Sequence, residues 1–166
     1  MKTIRFDFNW KPLRLQITFA VEGSVPDKQT YNADSREYTP DYTLTPLIIQ
    51  PNISVLDKDG VLKGGRVNQE LTNVRWYENI NGTRKQIATN NANYELIVEG
   101  ENAGRIKVKK NAEPKLPITL EFYAEYIDTR TGQVSEIRGT HSINCSSATD
   151  SIRVELDAAE QTLYNQ

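Results

Sequence analysis

The chain has 166 residues and a mass of 18.9 kDa, room for one domain with additions. Charged residues make up 25% and hydrophobic ones 37%, and the formal net charge of -2 offers no general attraction to nucleic acid or an anionic membrane. Cys145 is the single cysteine, so an internal disulfide is excluded and the core must hold by packing.

The first 21 residues read as a β-hairpin. Ile4, Phe6 and Phe8 alternate with polar neighbours, Asn9–Pro12 turns the chain, and Leu13, Leu15, Ile17, Phe19 and Val21 alternate again. A lone hairpin is marginal in water, so this apolar face needs a cover. Two covers are open: the main sandwich of the same chain, on which the hairpin would pack, or another subunit, which it would augment or dock onto. Ile4, Phe6, Phe8, Trp10, Leu13, Leu15, Ile17 and Phe19 are the residues expected to make assembly contacts. The same alternation lacks the continuous apolar stretch of a secretory signal. No apolar run reaches the roughly 20 residues that span a bilayer. Both features imply a chain kept in the cytoplasm, or one released inside an assembled particle.

Residues 22–40 read as a linker: polar, aperiodic, with Gly23, Pro26 and Pro40. Asp27, Asp34 and Glu37 are not spaced like an ion-binding loop. Residues 42–57 form an extended run broken by Pro46 and Pro51, which predicts an edge strand. Asp57–Gly60 is a turn. Asn73–Ala88 predicts a tight hairpin about Asn81-Gly82, with Trp76 opposite Ile87 and Glu78 opposite Lys85. Trp76 is placed at the centre of the core. Residues 94–98 and 105–109 form another pair, with Ile106 and Val108 inward and Arg105, Lys107 and Lys109 outward.

The longest alternation lies in 116–145. Leu120, Phe122, Ala124 and Tyr126 share one face, and Thr119, Glu121, Tyr123 and Glu125 the other. A tight turn at Thr131-Gly132 would set Tyr126 opposite Ile137 and Glu125 opposite Arg138. Phe122 and Tyr126 join Trp76 as expected core. Residues 151–157 suggest a final strand, and 158–166 a tail or the start of a helix with Asp157 as its cap.

Catalytic patterns are absent. His141 is the only histidine, and in a strand it would stand roughly 13 Å from Cys145, too far for a Cys/His pair. Glu121 and Glu125 are also roughly 13 Å apart, wider than a glycosidase pair. No phosphate loop, dinucleotide fingerprint or nucleophile elbow is present. A nucleic-acid platform would need Tyr123 with Lys107 and Lys109, beside which Glu121 and Glu125 are unhelpful. Asn52-Ile53-Ser54, Asn81-Gly82-Thr83 and Asn144-Cys145-Ser146 match the glycosylation pattern by chance where no export signal exists.

Seven or eight strands from Tyr42 onward, with turn signals every 8–12 residues, suit an all-β, immunoglobulin-like sandwich over 41–157 with an added N-terminal hairpin. Tyr126, late in its strand, is a candidate tyrosine corner. The segments LTNVRWYENINGTRKQI, RIKVKKNAEP and PITLEFYAEYIDTRTGQV resemble immunoglobulin-like virion proteins of phages and prophages of gut Bacteroidetes, including crAss-like phages. That resemblance covers roughly residues 38–164. It implies a particle component: head fibre, capsid decoration, or tail and baseplate appendage. In longer relatives the sequence continues past the LDAAEQTLYN segment, which would make this an N-terminal part. The implied partners are other virion proteins and copies of the chain, with a host-surface glycan or protein as a further one, and no nucleic acid, membrane or cofactor. The implied location is the virion, assembled in the host cytoplasm. The alternative is a carbohydrate- or protein-binding adhesin module, which predicts Tyr77, Tyr94 and Tyr123 exposed on one sheet face. Neither reading is enzymatic.

Overall fold

A computed structural model describes residues 9–149; the expected strands at 3–8 and 151–157 and the tail 158–166 lie outside the described residues. Among the described residues, eleven strands form two sheets. They are β1 (Arg14–Glu22), β2 (Lys28–Asn32), β3 (Glu37–Thr39), β4 (Leu47–Leu56), β5 (Gly65–Arg66), β6 (Thr72–Ile80), β7 (Thr83–Gln86), β8 (Tyr94–Leu96), β9 (Ile106–Val108), β10 (Ile118–Ile127) and β11 (Val134–Ala148). One sheet runs β1-β4-β9-β8 with β5 on β4; the other runs β3-β2-β11-β10-β6-β7. All pairs are antiparallel except β2 with β11, which is parallel. Among the described residues there is no α-helix, only a 3-10 turn at Asn68–Glu70.

The core lies between the sheets. Trp76 from β6 is fully buried, donates Nε1–H to the Gly104 carbonyl at 2.7 Å and meets the rings of Phe122 at 5.1 Å and Phe19 at 6.1 Å. Phe122 and Tyr126 are buried on β10 with Leu120 and Ala124, while β4 contributes Leu47, Ile49, Ile53 and Val55. The β6–β7 hairpin turns at Asn81 and Gly82, both at positive φ, and Glu78 faces Lys85. Those dihedral signs are what a type I′ turn needs, which is why the dipeptide fixed the register.

Three expectations are corrected. Residues 22–40 are not a linker: they supply β2 and β3, which extend the second sheet by parallel pairing with the end of β11. The sandwich therefore begins at β1 and not at residue 41. β4 is not an edge strand but lies between β1 and β9. Pro51 is tolerated there because the missing N–H would have pointed away from β1, into the gap between β5 and β9. Asn68 fills that gap, donating Nδ2–H to the carbonyls of Pro51 and Ala103, both at 2.8 Å, and accepting from the Ile53 N–H at 3.1 Å. The β10–β11 register is shifted by two residues from the expected one: Ala124 faces Ile137, Tyr123 faces Arg138 and Glu125 faces Glu136. Asp128 causes the shift by closing a wider loop, its carbonyl accepting from the N–H groups of Thr131 and Gly132. A shift of two keeps every side chain on its face.

Candidate functional site

Residues 10–11 lie at one end of the sandwich, just before β1, where a buried ion cluster holds them. Arg130, in the β10–β11 loop, pairs with Asp57 at 2.7 Å, Asp128 at 2.9 Å and Asp59 at 3.2 Å, and its side chain is 1% exposed. Its remaining N–H reaches the Lys11 carbonyl at 2.9 Å, and its guanidinium lies 5.3 Å from the centre of the Trp10 ring. The Lys11 N–H in turn donates to Asp59 at 2.7 Å. Three segments thus meet on one cation: the exit of β4, the β10–β11 loop and residues 10–11. Backbone N–H groups of Leu62, Asp59 and Val61 and the charge of Arg130 hold the Asp57 carboxyl below its usual range. Asp128 is held low chiefly by its hydrogen bonds to Arg130. Leu56, Val61, Ile127 and Val134 are exposed apolar side chains on these same loops or the strand ends that feed them.

Beside this clamp, one flank of the sandwich is open. β1 has β4 on one side and no partner on the other among the described residues. β11 is likewise covered by β2 only over Asn144–Ala148. The inward residues of β1, namely Leu15, Ile17 and Phe19, are only half-buried, whereas Ile49 and Ile53 on β4 are fully buried. Phe19 crosses to the opposite sheet because Gly139 has no side chain; a Cβ there would lie 2.8 Å from the Phe19 ring. Besides Trp76 it meets the His141 ring, 5.7 Å away, and His141 lies 3.0 Å from the Asp27 carboxylate. At the clamp end of the flank, an open groove of about 660 Å3 is bordered by Arg14, Gln16, Ser54, Leu56 and Gly65.

Of the residues expected to make assembly contacts, Ile4, Phe6 and Phe8 lie outside the described residues. Trp10 sits on the clamp. Leu13, Leu15, Ile17 and Phe19 pack against the chain's own core, the first of the two covers the sequence left open, and remain partly exposed. The physical reason is that β1 forms nine residue pairs with β4 and its apolar face is thereby committed inward.

The outer face of the second sheet is polar and internally paired. The Tyr123 hydroxyl donates to Glu125 at 2.7 Å and lies 3.3 Å from Glu136, which pushes it up to about 12 and eases the opposition of the two carboxylates. Arg84 pairs with Glu121 and stacks 3.5 Å from the Tyr77 ring centre, and Arg75 and Arg138 flank Tyr123. Tyr94, expected on this face, is buried in the core with its hydroxyl on Glu78, so the three tyrosines do not share a surface. Lys107, in β9 of the other sheet from Tyr123, and Lys109, just after β9, both pair with Glu95. Glu121 and Glu125 are each engaged by neighbours, Arg84 with Asn79 and Tyr123 with Asn73, and both are held below the usual carboxylate range.

The clamp was not visible in sequence, where Asp57–Gly60 marked only a turn and Thr131-Gly132 another. The one available signal was an acid-rich turn and an arginine-bearing turn at the ends of long strands. Among the described residues, no group of three or more His, Cys, Asp or Glu is placed to hold a metal, and no helix is long and apolar enough to cross a membrane. The chain matches no protein-family model, and neither the curated proteins nor the solved structures include a match to it.

Proposed function

We propose that the protein is a non-catalytic, immunoglobulin-like structural module of a phage particle, serving as a spacer or decoration domain attached through its N-terminal segment. The strand order supports the immunoglobulin-like reading: β1-β4-β9-β8 corresponds to strands A-B-E-D, and β11-β10-β6-β7 to G-F-C-C′, with a buried tryptophan on the strand equivalent to C. Tyr126 stands at the far end of its strand, away from where a tyrosine corner forms, and has no part in this reading. The observation that carries the attachment role is the Arg130 clamp. It uses a buried cation to fix residues 10–11, directly after the apolar alternation Ile4, Phe6 and Phe8. A rigid exit point is what a spacer requires if its body is to hold one angle to the particle. The other virion proteins and further copies of the chain are the proposed partners.

Antibody raised against the sandwich, applied to particles banded on a density gradient, tests this. The expected result is a band at a fixed ratio to the major capsid protein. Signal confined to soluble lysate or to the cell envelope overturns the reading, the latter in favour of an adhesin module.

A further inference from the structure

We infer that the open edge of β1 is the acceptor for a strand donated by a second copy of this chain, the donor being residues 3–8. This rests on the reading of the domain as an assembly module and names its copy-to-copy contact.

The acceptor is read from hydrogen-bond alternation. In β4, the N–H of Ile53 and the carbonyls of Pro51 and Ile53 point away from β1, to Asn68 and Val67. The β4 residues at even positions therefore bond β1, and opposite them so do Gln16, Thr18 and Ala20. Leu15, Ile17, Phe19 and Val21 consequently direct their N–H and C=O groups to the open side. An antiparallel edge of this length is a ready template for one more strand. The same residues, Leu15, Ile17 and Phe19, are the half-buried part of the core row. An added strand with alternate apolar side chains would satisfy the backbone and complete the burial in one step.

The donor is read from length, pattern and direction. Residues 3–8 alternate Ile4, Phe6 and Phe8 with Arg5 and Asp7. Extended, they span roughly 20 Å, within the roughly 30 Å of β1. Their own flank is the wrong target by direction. Lys11 stands opposite Asp59, in step with the Arg14–Leu56 pair, so the chain still runs in line with β1 at that point. Only Asn9 and Trp10 remain to reverse it, and Trp10 is held against Arg130. Trp10 does not take the positive φ that a type I′ reversal would require there. Residues 9–11 thus enter β1 in line with it, so a donor preceding them reaches a second copy without a reversal. Donor and acceptor are different surfaces, so the contact is head-to-tail and builds a ring or a filament.

The test uses the purified full chain, the chain lacking residues 1–8, and the free peptide MKTIRFDFN. The full chain is expected to show a concentration-dependent multimeric mass by light scattering, and the shortened chain a folded monomer with unchanged circular dichroism. Labelled peptide should bind the shortened chain, and Phe6→Pro in the peptide should abolish binding. In a Cys145→Ser background, mixing the Asp7→Cys chain with the Thr18→Cys chain under mild oxidation should give a mixed cross-linked dimer. A full chain that is monomeric at all concentrations overturns the inference. So does a chain carrying both cysteines that cross-links only within itself, which would place the segment on its own flank. A monomeric chain that still bands with particles would sink strand donation while leaving the structural role standing. Strand exchange by a chain absent from particles would do the reverse.

Discussion

Gly104 is where three parts of the core converge on a residue without a side chain. Its φ is +95, its carbonyl accepts the Trp76 N–H, and an added Cβ would meet Pro51 at 2.6 Å and Phe122 at 2.9 Å. Gly104→Ala should therefore combine backbone strain with overpacking and cost roughly 2–5 kcal/mol in urea unfolding. A loss under about 1 kcal/mol would mean that the β8–β9 loop yields easily. Asn68 makes the complementary case. Its amide donates to two carbonyls and accepts from one N–H, filling the ladder gap left by Pro51. Asn68→Asp would set a carboxylate against the Pro51 and Ala103 carbonyls, raising its folded pKa above the unfolded value of about 3.9. The variant's deficit relative to the parent should thus be small near pH 3 and grow as pH rises through that elevated value. A deficit constant from pH 3 to 7 would count against the geometry. Nothing in the sequence flagged Asn68, because a polar residue after a turn looks the same whether it faces water or plugs a sheet.

At the level of elements, local chemistry decided what could be read in advance. The β6–β7 register was legible because Asn81-Gly82 admits few turn geometries. The β10–β11 register was off by two because Asp128 closes a longer loop whose purpose is to deliver Arg130 to Asp57 and Asp59. β2 and β3 were missed since KQTYN and EYT carry little apolar alternation; their order comes from pairing with β11 and from Gln29, buried and bonded to Asn111, Pro40 and Ala112. The clamp gives these loops a pH signature. Asp57 and Asp128 are held below the usual carboxylate range, so they contribute stability above about pH 4, and that contribution is lost as pH falls through their lower folded values. Arg130→Met leaves both carboxylates without their cation and should lower Tm at pH 7 on the order of 10 °C. Because the variant has less to lose on acidification, the gap in Tm between parent and variant should narrow from pH 6 toward pH 2.5. Scanning calorimetry at several pH values checks this, and a gap independent of pH would show that Arg130 acts by packing alone.

The whole molecule turns on whether β1 belongs to the body or is an appendage. Its alternation announced an apolar face and could not say what covers it, since the cover is Gly139, a residue whose contribution is the absence of a side chain. In the folded chain β1 forms nine pairs with β4 and sends Phe19 to within 6.1 Å of the Trp76 ring centre. Truncation should therefore have a sharp boundary. A chain beginning at Asn9 keeps Trp10, Lys11 and all of β1, and should retain dispersed amide resonances and a cooperative thermal transition. A chain beginning at Gly23 exposes the even-numbered backbone groups of β4 and uncovers Trp76 and Gly139 together. Loss of the apolar contacts of Leu15, Ile17 and Phe19, about 1.5–3 kcal/mol each when fully buried and less here, is comparable to the whole stability of a typical domain. That chain should show collapsed amide dispersion and a red-shifted tryptophan emission, and adding a peptide of residues 9–22 should restore both. A chain beginning at Gly23 that folds unaided would make β1 an accessory strand, and its apolar face would again be available to a partner.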